Sequence, residues 1–462
     1  MPKPLKGIII PTDRLKNVKI LEEIGNGGQG TVYKVEYDGE IKALKWYHDS
    51  TFVVYKQDTE GNYIKNEEGK KIIDQQASKE AKKNFYDNLK NNIEHGSPSP
   101  EFLWPQDITK EVEGTFGYIM DLRPVQYIEL SKLLIGKKYK FNSYLTKVDA
   151  MINLVNAFRV FHNKGYSYQD LNDGNFFFNP DTGEILICDN DNASYAGRNT
   201  GILGKCRFMA PEVVLGQKMP DTMTDRFSMA VILFFILFRS HPLEGAAATP
   251  PCLTPTIERI IYGKKPIFVF DSEDKSNRPL KQIAQHSAII WNRTPVYVQD
   301  AFKKAFDKKA MQYDNNLNKY GSGRLSEKEW LDVLIHFRNA IIRCSNPACK
   351  KEEFFTGNPV CSKCGKPLPI VNAIRLSKYG IAIHKDLKLF KSQLGTCSDD
   401  TTTKIVAEVC VISGYYGLKN TSGETWNCTT STGANRDLQS GESMPVKAGI
   451  KVKMSNGDFE II

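Results

Sequence analysis

The sequence predicts an α+β chain of two unequal lobes followed by two small attachments. Three observations carry that prediction. Residues 18–47 alternate like paired strands around a glycine cluster, the pattern from about 123 to 342 is largely helical, and four crowded cysteines then precede short β-branched runs and turn pairs. The 462 residues are 41% hydrophobic and 25% charged, ordinary globular composition that excludes a wholly disordered or fibrous chain. The net charge of +9 is dispersed, with no block of five like charges, so neither nucleic acid nor a membrane surface is expected as a partner.

The first lobe is expected over residues 18–122. Gly25-Asn26-Gly27-Gly28-Gln29-Gly30 fits GxGxxG, and glycines let backbone N–H groups approach phosphate oxygens with no Cβ in the way. By itself such a cluster is equally a hairpin turn. A dinucleotide-binding fold requires a helix directly after the last glycine, whereas Thr31-Val32-Tyr33-Lys34-Val35 continues as a strand. Ile41-Lys42-Ala43-Leu44-Lys45 then forms an apolar strand ending in lysine. Phe52 to Ile73 reads as an inserted hairpin turning at Asp58 to Asn62, and 76–95 as a charged amphipathic helix ending near Gly96.

The second lobe, 123–340, contains Phe161-His162-Asn163-Lys164-Gly165-Tyr166-Ser167-Tyr168-Gln169-Asp170-Leu171-Asn172-Asp173-Gly174-Asn175 and, fourteen residues after Asn175, Asp189 at the end of an apolar run. A carboxylate and an amide at the ends of neighbouring strands suit a hard cation that prefers oxygen ligands. The apolar run Met229 to Phe238 is half a bilayer span and reads as a buried helix.

Glycine turn, strand lysine and aspartate loop in this order resemble protein kinases, specifically the eukaryotic-like (Hanks-type) bacterial serine/threonine kinases. The resemblance implies a bilobal protein-kinase fold over 18–340. It implies ATP held by Gly25, Gly27, Gly30, Val32, Ala43 and Lys45, with Glu80 pairing the lysine and Met120, Asp121 and Leu122 leading into the adenine-binding hinge. It further implies Asp170 as the residue accepting the substrate hydroxyl proton, and Asn175 and Asp189 as Mg²⁺ ligands. Met209-Ala210-Pro211-Glu212, Asp225-Arg226-Phe227-Ser228 and Gly323-Arg324-Leu325 resemble the end of the activation segment, the central helix and the C-terminal helix pair. They imply that Asp225 holds the catalytic-loop backbone and that Arg324 pairs with Glu212.

Several motif positions depart from that family. Tyr168-Gln169-Asp170 replaces His-Arg-Asp, Asp189-Asn190-Asp191 replaces Asp-Phe-Gly, and the usual lysine two residues after the catalytic aspartate is Asn172. Lys205, in Gly204-Lys205-Cys206, stands where it can supply the missing cation and is assigned to the catalytic set. Two alternatives stay open: a pseudokinase scaffold that binds nucleotide, and a small-molecule phosphotransferase of the aminoglycoside or choline type.

Cys344 and Cys349 form CxxxxC and Cys361 and Cys364 form CxxC, eleven residues apart. Thiolates on two knuckles can converge on one structural Zn²⁺, and the pattern over 341–369 resembles a zinc ribbon. Residues 370–462 read as an all-β sandwich, weakly similar to forkhead-associated domains but without their full phosphothreonine-binding set. The combination resembles bacterial stress-response kinases and implies phosphatase and von Willebrand-type partner proteins beside a protein substrate. The remaining scattered cysteines and the lack of a signal-peptide core lead to the expectation of a reducing, cytoplasmic setting.

Overall fold

The computed structural model describes residues 6–58, 63–195, 204–248, 254–377, 379–395, 397–412 and 414–462. Its first sheet has six strands: β1 (Ile9–Pro11), β2 (Asn17–Asn26), β3 (Gly30–Tyr37), β4 (Glu40–Tyr47), β5 (Asp107–Ile108) and β6 (Gly117–Asp121). They run in the order β1-β2-β3-β4-β6-β5. The sheet starts before residue 18 because Ile10 pairs with Val18 and both are buried in one apolar cluster. Gly30 begins β3 where a Cβ would lie 2.4 Å from Trp46 O, so the close approach of β3 to β4 requires glycine there.

Helix α1 (Gln75–His95) begins where Asp74 accepts a hydrogen bond from Ala77 N and ends at Gly96, whose φ of 71° no β-carbon favours. The segment before it is not the expected two-stranded hairpin. Lys56 N donates to Ile72 O, Ile64 N to Lys56 O and Ile72 N to Ile64 O, so three short legs close on one another. The extra reversal comes from Asn66, whose Oδ1 accepts from Glu68 N and Lys70 N ahead of Gly69. The expected turn lies mostly outside the described residues, at 59–62.

The second lobe is built on α2 (Tyr144–Asn163), α3 (Thr222–Phe238) and α4 (Glu327–Asn339). Asp221 and Thr224 make a capping box, so α3 begins three residues before Asp225, and the apolar run Met229 to Phe238 is buried throughout. Phe234 sits at the centre of an aromatic group with Phe238, Phe268, Phe302 and Phe306. Three short strands, Ile128–Glu129, Phe176–Phe178 and Ile185–Ile187, form a small sheet that carries the loops between 166 and 192.

Helix α4 ends at Asn339, and Ile341–Arg343 then pairs antiparallel with Glu352–Phe354, bringing the cysteine segment against the helical lobe. Two antiparallel sheets follow. One has six strands in the order Gly380–Ala382, Ala373–Arg375, Gly457–Ile461, Lys451–Met454, Trp426–Thr429 and Asn435–Leu438. The other has four: Lys388–Phe390, Ile405–Ile412, Tyr415–Asn420 and Ser443–Pro445. Ile374, Trp426, Val452 and Phe459 of the first and Leu389 and Leu418 of the second share one apolar cluster. Arg338 donates to Asp386 O at 2.9 Å and Asn339 Nδ2 to Lys388 O at 2.7 Å, tying this β-rich region to the end of α4. Among the described residues no helix is long and apolar enough to cross a membrane.

Candidate active site and cysteine centre

Lys45 lies near the end of β4 and is 3% exposed. A buried ammonium needs charge and hydrogen-bond partners, and three side chains supply them. Asp189 Oδ1 is 3.2 Å away, Asp191 Oδ2 2.9 Å, and Gln29 Oε1, from the glycine turn, accepts at 3.1 Å. Burial works against the charged form, but the two carboxylates outweigh it and hold the lysine pKa above its usual value. Asp191 is fully buried, and Tyr47 OH donates to its Oδ2 at 2.6 Å.

Glu80 is not the lysine's partner. It sits on the exposed face of α1, where Gln76 Nε2 donates to it at 2.7 Å. The helix instead turns Asn88 and Asn92 toward the loop after Asp189. Asn88 Nδ2 donates to Asp191 O at 3.2 Å and to Ala193 O at 2.9 Å, and Asn92 Nδ2 donates to Ala193 O at 2.9 Å.

Val32, Ala43, Met120 and Leu122 come together in one apolar cluster with Leu186 and Cys188, a set of walls suited to a flat heterocycle. Asp121 points elsewhere, accepting from Lys42 Nζ at 2.8 Å, so among the expected hinge residues its carboxylate is occupied by the sheet. In the glycine turn, Gly25 pairs with Val32, and Gly27 N donates to Gly30 O at 2.9 Å.

The aspartate loop is anchored from below. Asp225 accepts from Tyr168 N at 2.7 Å and Gln169 N at 3.1 Å, and His162 Nε2 lies 3.2 Å from the same carboxylate. Tyr168, fully buried against Phe158 and Phe176, donates its hydroxyl to Cys188 O, which fastens this loop to the one carrying Asp189. Asn175 Nδ2 donates to Asp170 O at 2.9 Å and Asn175 O accepts from Cys188 N at 2.9 Å. The amide nitrogen of Asn175 is thus engaged, and its oxygen is the atom it can offer a cation beside the half-exposed Asp189, a donor set that fits Mg²⁺.

Asp170 is pushed up to about 6, chiefly by burial; Asn172 Nδ2 opposes this by donating to its Oδ1 at 3.0 Å, and the nearby charge of Asp189 adds to it. A carboxylate near that value suits proton transfer close to neutrality. Lys205 Nζ donates to Asn172 Oδ1 at 2.8 Å. Its neighbour Gly204 has φ of 86°, and a Cβ there would stand 3.1 Å from Gln169 O and 3.2 Å from Asp170 Oδ1. That glycine lets the segment carrying Lys205 lie directly on the aspartate loop. Glu212 and Arg324 form a buried bidentate pair, both contacts 2.8 Å.

Gln29, Tyr47 and Asp191 were not among the residues expected at the site. The one sequence cue to Asp191 is a carboxylate where the related motif has glycine.

The four cysteine sulfurs converge. All Sγ atoms lie within 4.8 Å of one another, with Cys344 to Cys364 at 3.6 Å and Cys349 to Cys361 at 3.7 Å. A tetrahedral Zn²⁺ with about 2.3 Å bonds sets sulfurs roughly 3.8 Å apart, so the cluster could hold a metal ion. Among the four thiols, hydrogen bonds from the Lys366 amide and Asn346 lower the Cys364 pKa, whereas the neighbouring cysteines raise those of Cys344 and Cys349, so the case for a metal rests on the sulfur geometry.

A sheet with a glycine turn and a buried lysine accompanies a helical lobe presenting an anchored aspartate loop, the arrangement that the resemblance to protein kinases leads one to expect. The family model for the protein kinase domain matches residues 116–287. That match supports phosphotransfer by a kinase and implies ATP as donor and a protein as substrate. It takes in Asp170, Asn175, Asp189 and Lys205 and starts after the glycine turn and Lys45, which stand on geometry. No curated protein gives a significant match to the chain.

Proposed function

We propose that this chain is an ATP- and Mg²⁺-dependent protein kinase that transfers the γ-phosphoryl group to serine or threonine. The observation that carries the reading is the convergence of Lys45, Asp189 and the Asp170–Asn175 loop: Lys45 Nζ lies 3.2 Å from Asp189 Oδ1, and Asn175, which donates to Asp170 O, accepts from Cys188 N next to Asp189. Lys45 positions the α and β phosphates beneath the glycine turn formed by Gly25, Gly27 and Gly30, and Val32, Ala43, Met120 and Leu122 enclose the adenine. Asp170 orients the acceptor hydroxyl and takes its proton. Asn175 and Asp189 hold Mg²⁺, which neutralises charge on the phosphates. Lys205 stands over Asn172, at the position from which an ammonium steadies the transferring group, so rate enhancement comes from positioning and charge.

Retention of the lysine, aspartate, asparagine and second aspartate favours catalysis over a pseudokinase scaffold. The buried Glu212–Arg324 pair and the segment before it favour a peptide acceptor over a small hydroxyl compound. The four cysteines hold one structural Zn²⁺ over 341–369, and the β-rich region 370–462 is a sandwich for protein interaction. A place in bacterial stress signalling, with phosphatase and von Willebrand-type partners, rests on the family resemblance.

The test is incubation of the full chain with ATP, Mg²⁺ and candidate acceptors, read by mass spectrometry. Phosphoserine or phosphothreonine is expected. Nucleotide binding without transfer would establish the scaffold instead, and phosphate only on small hydroxyl compounds would establish the small-molecule enzyme.

A further inference from the structure

We propose that Asp191 is the positioning residue for Lys45, doing from the metal-binding loop what the family resemblance assigns to a glutamate on helix α1; the proposal rests on the kinase reading above. Lys45 is buried, so its ammonium must be held by charge inside the protein at every stage of nucleotide binding. Of its two carboxylates, Asp189 is 36% exposed and is the one placed to turn toward a cation. Asp191 is fully buried, and its Oδ2 lies between Lys45 Nζ at 2.9 Å and Tyr47 OH at 2.6 Å. When Asp189 engages the metal, Asp191 remains as the fixed counter-charge of the lysine.

Helix α1 offers the lysine nothing in return. Glu80 faces solvent, and the α1 groups that reach the cleft are the amides of Asn88 and Asn92, which bind backbone carbonyls at 191 and 193. The backbone of the loop aims Asp191 inward. Asp189 adopts φ of 54°, and Asn190–Asn192 follow as one tight helical turn held by Asn190 Nδ2 on Leu103 O and Ile187 O. The helix therefore fixes the loop, and the loop fixes the lysine. Orientation of Lys45 is tied to the same loop that carries the metal ligand Asp189, so both are set together rather than by a swing of α1.

The experiment compares affinities of the full chain for ATP and for adenosine, which lacks the phosphates that Lys45 would orient. Asp191→Asn is expected to weaken ATP about tenfold and leave adenosine unchanged. In a Lys45→Met background the same substitution should add nothing further. Tyr47→Phe, which keeps the carboxylate and removes one of its holders, is expected to give a smaller loss of ATP affinity alone, and it serves if Asp191→Asn does not fold. Unchanged or tighter ATP binding on Asp191→Asn would overturn the proposal, as would a further loss in the Lys45→Met background. Glu80→Gln weakening ATP as much as Asp191→Asn would also overturn it. A wild-type chain that binds no ATP would overturn the kinase reading, and this proposal with it.

Discussion

Lys205 Nζ donates to Asn172 Oδ1 across 2.8 Å, bringing an ammonium from the segment before Met209-Ala210-Pro211-Glu212 onto the aspartate loop. Asn172 passes the contact on, its amide donating to Asp170 Oδ1 at 3.0 Å. If Lys205 supplies the cation missing from position 172, Lys205→Ala lowers the turnover number at saturating ATP by about a hundredfold. Adding Asn172→Lys to that variant restores part of the rate. Steady-state kinetics on the two variants check this, and an unchanged turnover number in Lys205→Ala removes Lys205 from the catalytic set.

Stability depends on pH through His162. Burial alone would lower its pKa, but the hydrogen bonds it donates to Asp225 and Glu327, at 3.2 and 2.9 Å, outweigh that and raise it to about 9. A histidine whose folded pKa is raised contributes stability that is complete below the unfolded value near 6.5 and is lost as pH rises through 9. The expected loss between those limits is about 3 kcal/mol. Glu327, held down to about 2 against burial by His162 and Arg226, loses its own contribution in acid, as pH falls below its unfolded value. Melting temperatures measured from pH 6 to 10 should fall for the wild type and fall less for His162→Gln.

The Glu212–Arg324 pair predicts an asymmetry. Both side chains are buried, and the two terminal guanidinium nitrogens each donate to one carboxylate oxygen at 2.8 Å while Nε donates to Ala310 O. Removing one partner leaves an uncompensated buried charge, so Arg324→Met costs about 3–5 kcal/mol in denaturant unfolding. The double variant Arg324→Met/Glu212→Leu costs less than that single one.

Metal analysis tests the cysteine centre. One Zn²⁺ per chain is expected, lost in Cys361→Ser and accompanied by a lower melting temperature. A metal-free wild-type chain prepared in the presence of zinc would contradict the assignment.

Much of the molecule was legible in sequence where a residue's local pattern and its role coincide. The glycine turn, the strand carrying Lys45, the helix expected over 76–95 and the buried run Met229 to Phe238 all have periodicities set by one sheet or one helix, with the strand running on to Tyr47 and the helix starting at Gln75. The Asp225 anchor and the Glu212–Arg324 pair followed from the family resemblance, because its motifs fix which distant segments meet. Glu80 misled because a helix-face glutamate at a plausible spacing says nothing about which way the helix is rotated. Here the face toward the cleft carries Asn88 and Asn92. Asp191 escaped notice for the opposite reason: its burial depends on the left-handed backbone at Asp189, which no side-chain pattern records. The three-legged insert was missed because Asn66 builds a reversal from its own side chain.

The central claim is that Asp170 performs phosphoryl transfer in a site where nucleotide binding is a separate function. It is tested most directly by measuring ATP affinity and γ-phosphoryl transfer side by side for the wild type and Asp170→Asn. The account predicts transfer by the wild type, loss of at least about a hundredfold in the variant and little change in ATP affinity. Equal transfer by both, or none by a wild type that binds ATP, would contradict it.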